Sequence, residues 1–273
     1  MEFSAQADIL TEGVFWDVML QVSSNNNKVV KLAGDEDVYG GGIGLPFNTN
    51  LNIARVGEPF GVFWGYLEDG LNENGYIKYL DINGDGVKNT EDKVILGSPY
   101  PDFNYGFNSN LSFSNFDLNL FFEGVHGNDI IWATSGTHLN SFQRGQNQFA
   151  DLWGNYWTRE NPDPNAKYPI ISRSVQPDFS DRFVMDGSYF RLKILTLAYN
   201  IPVHKMGTSI FNKAQIYVSG TNIFTITSFP GLDPEVNTRG TDDASVGSRL
   251  RMGIDEGAYP TAKVYTAGIK FSF

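Results

Sequence analysis

Between Phe103 and Val125 the chain alternates with a period of two, and that period limits the fold more than any other feature. Phe103, Tyr105, Phe107, Leu111 and Phe113 share one side with Ser109, while Asn104, Gly106, Asn108, Asn110 and Ser112 share the other. After a tight turn at Ser114-Asn115, Phe116, Leu118, Leu120, Phe122 and Gly124 alternate with Asp117, Asn119, Phe121, Glu123 and Val125. Successive side chains of a strand point to opposite faces, so this is a hairpin with an apolar and a polar, partly acidic face. A hairpin of this kind fits a β-sandwich as well as a membrane barrel.

Five further runs carry weaker forms of the pattern. Glu2–Leu10 places Phe3, Ala5, Ala7 and Ile9 on one side, and Val14–Val22 follows the turn Thr11-Glu12-Gly13. Ser188–Ile201 carries Phe190, Leu192, Ile194 and Ala198 on one side, with Arg191 and Lys193 on the other. Lys213–Thr225 is the sixth strand. Tyr259–Phe273 is the seventh, with Tyr265, Ala267, Ile269, Phe271 and Phe273 in one apolar row. About ten residues suffice for a tilted strand to cross a bilayer.

The connections decide between the two folds. Residues 33–102, 127–187 and 226–258 are long and rich in Gly and Asn, whereas the links after the first, third and fifth strands are short. A sandwich has no reason to sort connections by parity; an outer-membrane barrel has long extracellular loops and short periplasmic turns. The reading is therefore all-β: about seven antiparallel strands of a transmembrane β-barrel with long extracellular loops. An odd number of strands leaves an open edge in lipid, so the expectation is a segment of a larger barrel. Within residues 140–157 a short helix is expected.

Composition agrees. Aromatic residues make up 14% of the chain, suiting strands and membrane interfaces. No run of eighteen apolar residues is present, which barrel strands do not require. The net charge of −11 opposes binding to nucleic acid. There is no Cys, so neither a thiolate metal site nor a Cys nucleophile is available. The start, MEFSAQADIL, lacks the basic and apolar regions of a signal peptide.

Two groups of residues carry candidate chemistry. In the segment 81–92, Asp81, Asn83 and Asp85 stand at positions 1, 3 and 5, with Gly86 at 6, the Val87 carbonyl at 7 and Asp92 at 12. That spacing resembles an EF-hand calcium loop, in which a hard cation collects oxygens around a bend that Gly permits. The competing reading is a water-bridged cluster of Asx turns. The second group is Trp132, Trp153, Tyr156 and Trp157, aromatic residues on a long loop that could stack on sugars or pack the loop itself. His126, His138 and His204 show no metal spacing, and no nucleophile elbow or phosphate loop occurs. The expectation is a protein that is not an enzyme, with Asp117, Asn119, Glu123, Arg191 and Lys193 lining a hydrophilic lumen.

Several stretches together resemble the C-terminal barrel of SusC/RagA-like TonB-dependent outer-membrane receptors. They are residues 75–128 with LDINGDGVKNTEDKVILG, WTRENP at Trp157–Pro162, GSYFRLKILTLAYNIP at Gly187–Pro202, VSGTNIFTITSFPGLDPEV at Val218–Val236, and the terminal GIKFSF. The resemblance covers nearly the whole chain in order. It implies a 22-stranded barrel with an N-terminal plug, import of oligosaccharides or peptides driven through the TonB complex, and a SusD-like surface lipoprotein as lid. It also implies that plug and signal sequence are absent from residues 1–273. The alternative from another class is a soluble, calcium-stabilised, carbohydrate-binding β-sandwich; a glycoside hydrolase is a third, with no carboxylate pair singled out.

Overall fold

The computed structural model describes residues 1–34, 36–40, 42, 47, 49–139, 147–172, 175–203, 211–236 and 249–273. Seven long strands form one antiparallel sheet: β1 (Glu2–Thr11), β2 (Val14–Ser23), β3 (Phe103–Phe113), β4 (Phe116–His126), β5 (Tyr189–Ile201), β6 (Lys213–Thr227) and β7 (Val264–Ser272). Their order in the sheet is their order in the chain. Among the described residues no second sheet packs against this one as a sandwich requires. Its apolar face stays open, with Leu197, Ile216, Val218 and Ile269 all more than two-fifths exposed.

Register shows how the faces are built. Ile9, Trp16, Leu111, Leu118, Leu197, Val218 and Ala267 stand opposite one another in turn, an apolar row crossing all seven strands. One residue along, Asp8, Asp17, Asn110, Asn119, Thr196, Ser219 and Thr266 form the matching row on the reverse face. The second row is tied together: Asn110 donates to Asp17 at 2.9 Å and Asn119 to Asn110 at 2.5 Å, and the Thr196 and Ser219 hydroxyls lie 2.8 Å apart. On the apolar face the Trp16 indole N–H donates to Ser109 at 2.9 Å, so neither polar group is left bare against lipid.

Two sequence expectations about the strands are corrected. A bulge in β5 leaves Lys193 without a partner on β4, and the register shifts there. Residues after it change side, so Leu195, Leu197 and Tyr199 join the apolar face, while Ile194 and Ala198 lie on the polar one, opposite Phe121 and Asp117. β7 is also shorter than expected, nine residues from Val264. Residues 259–263 stay outside the ladder, where Pro260 has no N–H to give.

The described parts of the long connections carry regular structure of their own. The first contributes a four-stranded sheet of Val38–Tyr39, Asn52–Ala54, Val62–Gly65 and Val94–Gly97, and a hairpin of Glu68–Leu71 with Ile77–Tyr79. A three-stranded sheet joins Asp129–Trp132 to Val184–Asp186 and, in parallel, to Ile254–Asp255 from the third connection. One core gathers Phe47, Leu51 and Phe63 from the first connection, Ile131, Phe179 and Phe183 from the second, and Ile254 from the third. Only residues 147–157 of the span expected to hold a short helix are described. A six-residue α-helix occupies Ala133–His138, and the described part of that span holds only the 3₁₀ turn Ala150–Leu152. Residues 140–146 lie outside the described residues, as does His204.

Candidate functional site

The polar face of the sheet is richest in hydrogen-bonding groups at the end that carries the long connections. Glu2, Ser23, Asn104, Val125 and Tyr189 make the outermost row, and Ser4, Gln21, Gly106, Glu123 and Arg191 the next on that face. A cleft of about 740 Å³ opens over these rows, lined by Glu2, Ser4, Ser23, Asn104, Glu123 and Tyr189 among others. Such lining suits a hydrophilic solute.

The five residues assigned to the lumen share this face. Asn119 sits in the amide row, and Asp117 accepts from Ser112 and from Asn200, each at 2.6 Å. Lys193 donates to Glu123 at 2.8 Å. Arg191 departs from the role expected for it. Its side chain is 1% exposed, and its guanidinium donates to Thr225 at 2.8 Å, to Glu235 at 2.6 Å and to Asp233 at 2.5 Å. It anchors the third connection to the wall instead of lining an open path. Asp233 extends the anchor by accepting from the Thr261 N–H at 2.9 Å and hydroxyl at 2.6 Å. Burial pushes the Asp233 carboxyl up, but bonds from Thr261, the Glu235 N–H and Arg191 outweigh it and hold the group below the usual carboxylate range. Asp233, Glu235 and Thr261 escape sequence reasoning because no spacing links them to Arg191.

The segment 81–92 forms a tight loop that bends at Gly84 and Gly86, with φ of 75° and 78°. Asp81 accepts from the N–H groups of Gly84 and Gly86, each at 2.7 Å, and Asp85 from Val87 at 2.7 Å. Asn83 accepts from the Asp85 N–H at 3.0 Å. Asp92 is fully buried, and its two oxygens accept from Ile82 and Asn89, each at 2.9 Å, so it closes the loop. Those bonds, Asn89 first, hold its carboxyl below the usual range. Among the described residues no three His, Asp or Glu side chains gather as a metal cluster.

The aromatic quartet is brought together only in part. Trp157 is 5% exposed and its indole lies on Gly75, where an added Cβ would come within 2.4 Å of the ring. Tyr156 and Trp132 both pack against the cluster of Leu139, Leu152 and Tyr168. Trp153 stands 85% exposed. Trp132 lines a cleft, of about 460 Å³, and stacks on Phe149 with ring centroids 5.6 Å apart. The same cleft holds Asp151, Lys167 and Tyr168. Asp151 accepts from Lys167 and Tyr168, each at 2.5 Å, and those bonds keep its carboxyl below the usual range.

Seven long antiparallel strands in chain order, one apolar and one polar face, and all long connections at one end define a segment of an outer-membrane β-barrel wall. Comparison with known proteins agrees: along its whole length the chain is similar to a segment of TonB-dependent receptors, SusC among them, which are outer-membrane proteins, and it spans little more than a quarter of their length. It is 33% identical over 290 residues to TonB-dependent receptor P3 of Formosa agariphila, a match covering 100% of this chain and 28% of that receptor. It is 28% identical over 284 residues to TonB-dependent receptor SusC of Bacteroides thetaiotaomicron, covering 100% of this chain and 26% of SusC. The RagAB peptide transporter superposes with a TM-score of 0.79 at 22% identity, over 100% of this chain and 29% of that one. No family model matches. These relatives are named as receptors and transporters, not as enzymes.

Proposed function

We propose that this chain forms the C-terminal part of the barrel in a TonB-dependent receptor that imports oligosaccharides or peptides, with a SusD-like surface lipoprotein as its lid. The observation that carries the reading is the polar row from Asp8 to Thr266. It runs unbroken across seven strands whose reverse face is apolar, and it has the chemistry of a wetted lumen wall. The likeness to P3 and SusC over 100% of the chain supports the same reading. The work of this wall is non-covalent. Amide and hydroxyl groups accompany a hydrophilic solute, the Arg191 anchor holds the third connection, and energy enters through the TonB complex and a plug. The test is uptake by cells carrying the whole receptor and its lipoprotein. Labelled oligosaccharide or peptide should accumulate, and deletion of the codons for residues 1–273 or loss of TonB should abolish it. Uptake unchanged by either deletion would sink the proposal.

The loop 81–92 belongs to this reading as a calcium site. In favour stand the oxygen-bearing side chains at Asp81, Asn83 and Asp85, the carbonyl of Val87, and a bend already formed around Gly84 and Gly86. Asp92 contributes by closing the loop. Calorimetric titration with calcium chloride should release heat that the Asp81→Ala and Asp85→Ala variants lose; no heat at millimolar calcium removes the cation.

A further inference from the structure

The cleft above the second connection has a composition that the polar wall does not share. Trp132, Leu139, Phe149, Met185 and Pro230 are half of its lining residues, and most of the lining surface is apolar. Its volume of about 460 Å³ falls in the range of small-molecule sites, roughly 300–1,000 Å³.

Its polar groups are already engaged with one another. Asp151 takes Lys167 and Tyr168. Arg182 holds Glu68 through its Nε at 2.7 Å and donates to the Lys167 carbonyl at 2.7 Å. The Ser135 hydroxyl donates to the Trp132 carbonyl at 2.6 Å. Trp132 itself has Phe149 stacked on it and Phe229 at its edge, with centroids 5.6 and 6.5 Å away. A pyranose needs a free aromatic face and several uncommitted hydrogen-bonding groups, and this cleft offers neither in quantity. An aliphatic or aromatic side chain needs only apolar contact, and a thioether such as Met185 adapts to its shape.

We infer that this cleft is a subsite for an apolar side chain of an oligopeptide ligand. The inference rests on the import reading above and narrows its substrate class. Burying one large apolar side chain is worth about 1.5–3 kcal/mol, or roughly ten- to a hundredfold in affinity.

The test uses the purified whole receptor in detergent and two probes of equal length, a tetrapeptide containing Phe and Leu and one of Gly and Ser only, titrated by calorimetry. Met185→Trp fills the cleft. Phe149→Ala removes a ring that is 40% exposed, so it leaves the fold standing even where Met185→Trp disturbs it. The expected result is that wild type binds the apolar peptide at least tenfold more tightly than the Gly/Ser peptide, and that each variant erases the difference. Equal affinity for the two peptides overturns the inference, as does a difference that Phe149→Ala leaves intact. Binding of a maltotetraose probe that Phe149→Ala weakens overturns it in favour of sugar. Failure of uptake in cells would strike the import reading and leave this titration readable; an intact uptake with unaltered titration strikes the subsite alone.

Discussion

Gly124 sets the tolerance of the wall at single-residue scale. A Cβ there would meet the Tyr105 ring at 2.2 Å and the Tyr189 carbonyl oxygen at 2.6 Å. Tyr105 lies across the glycine and its hydroxyl donates to that carbonyl at 3.2 Å. Gly124→Ala therefore overpacks a hydrogen-bonded position, at a cost of about 1–3 kcal/mol. The expected outcome is a smaller fraction of the whole receptor migrating as folded on unheated detergent gels. Asp129 gives a second prediction. Burial pushes its carboxyl above the usual carboxylate value, Asp186 and Asp102 add repulsion, and the Ser98 N–H, 2.9 Å from Oδ2, pulls the other way. A carboxyl raised in the folded state contributes stability that is full below its unfolded value, about 3.9, and is lost as pH rises through its folded value. At neutral pH the charged group is thus a cost. Asp129→Asn keeps an oxygen for Ser98 and should slow hydrogen exchange at Ile130 and Ile131 at pH 7, with the gain vanishing near pH 4.

At the scale of the element, the bulge in β5 decides which face each half of the strand presents. Lys193 has no partner on β4. Deleting it would put the two halves in one register, and Arg191 or the row of Leu195 and Leu197 would then face the wrong medium. An Arg at the bilayer midplane costs roughly 2–4 kcal/mol. Deletion of Lys193 should abolish recovery of the receptor from the outer membrane, whereas Lys193→Ala, which keeps the residue count, should leave recovery near wild type. The same bulge marks where the sequence stops being legible. Period-two alternation finds all seven strands and assigns β3 and β4 to the correct faces, because an unbroken strand carries its register in its own side chains. One inserted residue leaves composition untouched and reverses the parity, so Ile194 and Ala198 are misplaced by pattern alone. The candidate site was less legible still. Trp157 looks like Trp132 in sequence, and only the packing on Gly75 shows it to be core. The acidic partners of Arg191, Asp233 and Glu235, lie more than forty positions away, in a segment with no periodicity to announce them.

For the whole molecule, the two faces of the sheet are an assignment to two solvents. Trp16 lies in the apolar row and is 39% exposed; Trp153 lies on the second connection and is 85% exposed. In whole-receptor variants that keep one of these tryptophans and carry Phe at the other Trp positions, brominated acyl chains should quench Trp16 strongly and Trp153 hardly at all. Equal quenching would contradict the assignment of the faces.

The shared core of Phe47, Leu51, Phe63, Ile131, Phe179, Phe183 and Ile254 draws on all three long connections. The first and second also hold small clusters of their own, but this core belongs to no one of them. Exchanging a single connection for that of a related receptor would import a third of a jigsaw and leave voids or clashes against the other two. New ligand preferences at this end of the barrel are thus acquired either by changes on the outer skin of the cap or by replacing the three connections as one cassette, and recombination between relatives should favour breakpoints that keep them together.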